Sequence, residues 1–139
     1  MLSKTSIGSL DNTVNIFQKE VESLNEGDAL VVNLNERYQP INRYVVSVKD
    51  LFNDLYGSLD TERHIFKNAL LNDAKSIILF QYHSAEDAPH PTLRDYDVTK
   101  ALKAICNLIG VRLLDHIIVG RNKNYYSFDL KSALFWNEE

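Results

Sequence analysis

The sequence predicts an α/β domain built on a mixed, mostly antiparallel sheet flanked by helices. Three observations carry that prediction. Stretches with apolar residues at three- and four-residue steps alternate along the chain with short β-branched runs. A hairpin is signalled near each end of the sheet, and one run, Ile77 to Phe80, is continuously apolar, as a buried central strand is. At 139 residues and 45% hydrophobic content the chain has enough apolar material for one core, so a single domain over 1–139 is expected, with its body at about 11–128.

Taken in order, residues 1–10 carry little periodicity and read as an edge strand or a loose arm. Val14, Phe17, Val21 and Leu24 mark one face of a helix that Asp11 or Asn12 caps. Asn25, Glu26 and Gly27 end it, Gly27 suiting a left-handed cap. Ala29 to Leu34 and Ile41 to Val48, joined by the turn-forming Asn35 to Pro40, read as an antiparallel hairpin. Lys49 to Ser58 reads as a loop with one helical turn. Asp60 is placed to cap a helix through Leu71 that buries Ile65, Phe66, Ala69 and Leu70 and leaves His64 in solvent. The strand Ser76 to Gln81 follows, and after a polar loop a helix from Asp95 to Ile109 buries Val98, Ala101, Leu102, Ile105 and Leu108, with Gly110 as its stop. Val111 to Val119, the turn Gly120 to Asn124 and Tyr125 to Phe128 form the second hairpin. Leu130 to Trp136 is apolar enough to pack on the body.

Composition excludes several classes. The 19 acidic and 15 basic residues are dispersed and leave a net charge of -4, whereas a nucleic-acid binder shows a basic stripe. The one basic patch, Arg121 to Asn124, reads as a turn. The aromatics Tyr125, Tyr126, Phe128, Phe135 and Trp136 read as hairpin and core residues rather than as a base-stacking platform, part of that surface serving a dimer contact. No apolar run approaches the roughly 20 residues that span a bilayer, and the first residues lack a secretory h-region, so a cytoplasmic protein is expected. Cys106 is the only cysteine, which precludes an internal disulfide; on a helix it reads as a small core residue rather than a nucleophile.

The chemistry-bearing residues converge between Lys75 and Val98. The central strand delivers Gln81, Tyr82 and His83 to a loop that holds His90 between Pro89 and Pro91, and a helix opens at Thr92 to Asp95. Strand end, loop and helix start bring polar groups to one point, and histidine with aspartate is a zinc-ligating combination. Asp95 is also suited to capping the helix, and Asp115 and His116, adjacent in a strand, face opposite ways and read as structural, with His116 neutral and hydrogen-bonded.

This stretch, with its flanks RHIFKNALLNDAKSIILFQYH and DYDVTKALKAICNLIGVRLLDHIIVG and with YYSF near the end, resembles the RadC-like branch of the JAB/MPN (JAMM) domains, from about Ala29 to Phe128. The resemblance implies a cytidine-deaminase-like three-layer architecture with the site at the end of the strand Ser76 to Gln81. It also implies a zinc held by two histidines and an aspartate, with a glutamate as general base and a serine beside the polarised carbonyl. On that pattern His83 is the second histidine, Asp95 the aspartate and Thr92 stands for the serine, whereas the first histidine is matched by Gln81. Eight residues separate His83 from Thr92, one more than the pattern has, and the base position falls on Gly27, with Glu26 and Asp28 on either side.

An amide oxygen ligates zinc poorly beside imidazole, so loss of one ligand in three weakens affinity by orders of magnitude. The leading expectation is therefore a RadC-like protein with a degraded zinc site, inactive or weakly active, that binds a protein or peptide partner or a second copy of itself. The alternative is a zinc-dependent metallo(iso)peptidase using His83 and Asp95, with Gln81 or His90 as third ligand and Glu26 as base. A third reading, DNA repair, follows the family's name and is opposed by the charge.

Overall fold

The structure, a computed structural model, describes residues 10–52 and 59–128. Its elements are α1 (Leu10–Glu22), β1 (Asp28–Leu34), β2 (Pro40–Ser47), α2 (Asp60–Leu71), β3 (Ser76–His83), α3 (Leu93–Leu108), β4 (Arg112–Gly120) and β5 (Tyr125–Ser127), with short 3-10 turns at Val48–Asp50 and Arg121–Lys123. The five strands form one sheet in the order β2-β1-β3-β4-β5. Only β3 and β4 run parallel; β1 is antiparallel to β2 and β3, and β5 to β4. A parallel pair needs a crossover, and α3 supplies it. The α/β class, the mixed sheet and a hairpin at each end agree with the expectation.

Two apolar cores lie on opposite faces of the sheet. Val14, Phe17 and Val21 of α1 pack on Leu30, Val32, Ile78 and Phe80, with the Phe17 and Phe80 rings 5.4 Å apart. On the other face α2 and α3 lay Ile65, Ala69, Val98, Leu102 and Cys106 over Ala29, Val31, Ile77 and Leu79. From Ser76 to Gln81 every residue of β3 is buried, which explains why its apolar run does not alternate. Cys106 is a core residue, and burial pushes its thiol up to about 12.

Several expectations need correction. Helix α1 ends at Glu22, so Gly27, at φ +89, serves the turn before β1, where Asp28 N–H meets Asn25 O at 3.1 Å. Leu59, not Asp60, holds the N-cap position of α2, and Asp60 lies in the first turn, where a carboxylate still favours the helix dipole. Leu70 and Leu108 point outward, 56% and 85% exposed, because α2 and α3 are covered by the sheet on one side only. Helix α3 begins at Leu93 with Thr92 as its cap, two residues before the expected start. The expected arm at 1–9, the loop residues 53–58 and the apolar ending after Phe128 lie outside the described residues.

Two features of the sheet position the site. Residues of one parity on β3, including Leu79 and Gln81, face α3. On β4 the register with β3 slips, Ile77 pairing with Leu113 and Ile78 with Asp115, so Leu114 is an extra residue and a β-bulge. The bulge puts His116 on the same face as Leu113, three positions earlier, which strict alternation forbids. Among the described residues no helix is long and apolar enough to cross a membrane.

Phe17 is fully buried and ties α1 to the sheet. Replacing Phe17 with Ala is expected to lower the unfolding free energy by about 3–5 kcal/mol, read from chemical denaturation with an unchanged m-value.

Candidate functional site

At the C-terminal end of β3 four buried side chains form one network. Thr99 Oγ1 donates to the Asp95 backbone carbonyl, one helical turn earlier, at 2.6 Å. Its proton so placed, the hydroxyl accepts from His116 Nδ1–H at 2.7 Å, and Nε2 is left as the bare nitrogen of a neutral imidazole. The Gln81 amide supplies the matching donor, Nε2 to Nε2 at 2.7 Å, and reaches Asp95 Oδ1 at 3.3 Å. Chain logic thus fixes both the imidazole tautomer and the orientation of the amide.

Asp95 closes the network onto α3. Its Oδ2 accepts from Thr92 N–H at 2.8 Å while Thr92 Oγ1 accepts from Asp95 N–H at 3.1 Å, a reciprocal capping box. Thr92 is therefore the cap, with Asp95 three residues in as its counterpart. The next residue but one, Arg94, sends its guanidinium back across the surface and donates to the carbonyls of Val48, Lys49 and Leu51, holding the turn after β2 to the start of α3.

His116 has no exposed surface and stacks on Phe128, the ring centroids 4.7 Å apart and the ring planes nearly parallel. Burial lowers its pKa from 6.5 to about 4; the nearby Asp95 carboxylate pulls the other way and His83 reinforces the drop. Asp115 lies on the opposite face, accepting from His116 N–H at 2.7 Å and from Ser127 Oγ–H at 2.5 Å. The expected opposition of these neighbours is present, and His116 is the one that faces Gln81.

The remaining candidates stand apart. His83 is half-buried, and its Nδ1 meets Glu86 Oε2 at 2.7 Å. His90 is exposed and lines a separate cavity of about 700 Å³ with Lys123, Tyr125 and Tyr126. Glu26 is exposed in the turn before β1; because Ala29 pairs with Gln81, it lies at the same end of the sheet as the network. The loop between β3 and α3 is pinned: Arg121 N–H donates to Glu86 O at 2.7 Å, Asn124 Nδ2 to Asp87 O at 2.6 Å, and Arg121 pairs with Asp87 at 3.2 Å.

These donors do not fit a three-ligand zinc centre as they are arranged. Both Asp95 oxygens accept hydrogen bonds, the Gln81 amide presents N–H groups, and among the described residues no group of three or more His, Cys, Asp or Glu converges to hold a metal ion.

The RadC-like JAB domain profile matches residues 7–133. The chain belongs to that family. Its relatives include UPF0758 proteins of Caldanaerobacter subterraneus subsp. tengcongensis, 33% identical over 135 residues covering 89% of this chain and 54% of that one, and of Clostridium beijerinckii, 36% identical over 121 residues covering 84% and 49%. A third, from Coprothermobacter proteolyticus, is 36% identical over 103 residues covering 73% and 42%. The chain thus spans about half the length of the curated relatives it matches. In this RadC-like JAB domain the sequence motif led to Gln81, His83, Thr92 and Asp95 but passed over Thr99 and the partnership of His116. The spacing of Thr99, four residues after Asp95 on one helix face, was the available signal.

Two outcomes are expected. A Cβ on Gly120 would stand 2.5 Å from Glu86 O and 2.8 Å from Pro89 Cδ, so Gly120→Ala should displace the loop and destabilise the fold by about 1–3 kcal/mol in denaturant melts. His116 binds its proton in the unfolded chain near pH 6.5 but in the fold only near 4, so its contribution is present above 6.5 and is lost as pH falls from 6.5 to 4. Over that window wild type should lose up to about 3 kcal/mol more than His116→Asn, measured by urea melts across pH.

Proposed function

We propose that this RadC-like JAB domain is a binding module whose family metal position has been given over to a hydrogen-bonded amide, and not a working hydrolase. One observation carries the reading. The Gln81 amide nitrogen stands between His116 Nε2 and Asp95 Oδ1, so a donor points where a cation would need lone pairs. A buried network with every member satisfied is stable as it is, and extracting Asp95 for a metal would also undo the cap of α3. The hydrolase reading requires His83, Asp95, a third ligand from Gln81 or His90, and Glu26 as base. Against it stand the exposed positions of His90 and Glu26. Net charge opposes the DNA reading.

Binding is supported by the opposite side of the helix layer, where an apolar groove of about 740 Å³ runs between α2 and α3 and Leu70 and Leu71 stand 56% and 75% exposed.

Metal content after equilibration with trace zinc tests the reading. Well below one zinc per chain is expected, unchanged in His83→Ala, whereas Gln81→His should raise zinc uptake by restoring an imidazole donor. Stoichiometric zinc in wild type that disappears in His83→Ala, together with zinc-dependent peptide cleavage, would overturn it.

A further inference from the structure

The geometry points to a ligand site apart from the Gln81 network: the cavity between the β3–α3 loop and the β4–β5 turn takes a small organic anion built on a planar ring. At about 700 Å³ the cavity has the size of a pocket for one small molecule.

The sign of the ligand follows from the lining. No aspartate or glutamate lines the cavity, although the chain carries 19 acidic residues against 15 basic ones. The two groups able to serve an anion come from different segments, His90 from the loop and Lys123 from the turn. Neither side chain has a hydrogen-bond or ion-pair partner among the described residues. The acids on the same elements are engaged: Glu86 meets His83 at 2.7 Å, Asp87 meets Arg121 at 3.2 Å, and Asp11 accepts from the Tyr125 hydroxyl. An ammonium and an imidazole N–H left open on a cavity without carboxylates favour a negative ligand.

The planar body follows from the remaining walls. Pro89 and Tyr126 are buried and Tyr125 is half-buried, so the cavity presents rings on which another ring can stack. The Tyr126 ring is held in place: its hydroxyl meets that of Tyr96 at 3.2 Å, and it packs at nearly a right angle to Phe128 with centroids 5.2 Å apart.

Both sides of the cavity are fastened before any ligand arrives. Arg121 N–H reaches Glu86 O at 2.7 Å and Asn124 Nδ2 reaches Asp87 O at 2.6 Å, joining turn to loop. Within that turn Asn122 and Lys123 stand in succession at φ +58 and +66. Asparagine tolerates the left-handed region, whereas a lysine there costs about 1 kcal/mol. Residues kept in such a conformation gather at ligand sites, and here it belongs to the turn's one residue that both carries a positive charge and lines the cavity.

The inference goes beyond the binding-module reading and stands whichever way the zinc question falls. Amide NMR titration of the full chain tests it, with EDTA present so that no metal mediates anion binding. Phenyl phosphate and benzoate are the probes, benzyl alcohol supplies the ring without charge and inorganic phosphate the charge without a ring. At least one aryl anion should shift the signals of residues 88–90 and 123–126 with a Kd of about 1 mM or tighter, and both half-probes should bind at least about tenfold more weakly. The tighter of the two aryl anions identifies the head group as a phosphate ester or a carboxylate.

Lys123→Gln should weaken that binding about fivefold or more, and Ala88→Trp, at an exposed position on the cavity, should abolish it by filling the space. Lys100→Gln, exposed on α3 and away from the cavity lining, should leave it unchanged, with circular dichroism confirming that each variant is folded. The assignment is overturned if neither aryl anion shifts these signals at about 10 mM, or if inorganic phosphate or benzyl alcohol binds as tightly as the aryl anions. Binding indifferent to Lys123→Gln or to Ala88→Trp, or lost equally in Lys100→Gln, overturns it as well. Because zinc content decides the binding-module reading and these titrations are run without metal, failure of either leaves the other standing.

Discussion

A neutral imidazole sealed from water must have both nitrogens satisfied, and from that requirement at His116 most of the site follows. Thr99 can serve Nδ1 only if its own proton goes elsewhere, and the helix offers the Asp95 carbonyl. Nε2 then needs a donor, which glutamine has and a neutral histidine in that orientation would have to find by changing tautomer. Residue 81, the first turn of α3 and the middle of β4 are thereby tied into one unit, with Phe128 stacked behind it. The same unit joins the parallel strand pair to its crossover helix, so the fold and the network support each other.

Much of this was legible in the chain. Strand and helix positions agree to within about two residues because the helices carry apolar residues at three- and four-residue steps and the strands are short β-branched or continuously apolar runs between turn residues. The strand end and the helix start could be placed together from Gln81, His83, Thr92 and Asp95, since the resemblance to the JAB pattern sets those positions at one site. Three things were not legible. The outward turn of Leu70 and Leu108 depends on which side of each helix the sheet occupies, which local periodicity does not specify. The cap of α3 went to Thr92 because a hydroxyl and a carboxylate three apart can satisfy each other's amides, a reciprocal pair that reading Asp95 alone overlooks. The facing of His116 depends on the bulge at Leu114, and an extra residue in a strand leaves no mark when the run around it is uniformly apolar.

The two helical layers do different jobs. Helix α1 seals its side of the sheet with an aromatic pair and three apolar residues, and the network lies on the other face. Helices α2 and α3 cover the second face, where Asp95 and Thr99 meet Gln81 and His116 on the inner side and leucines remain at the outer one. The polar pair set within an otherwise apolar inner face and the leucines left on a partly charged outer one are the two departures of this layer from an ordinary surface helix.

The first turn of α3 bears more than the site. Thr92 and Asp95 hold the helix end, and Arg94 between them grips three carbonyls of the turn after β2. A carboxylate at position 95 is accounted for by this architecture whether or not a metal ever approaches it. The scaffold alone is reason enough for the aspartate, so its presence by itself says nothing about metal chemistry. A motif residue that also caps a helix is weak evidence for the motif's chemistry, whichever way that chemistry stands.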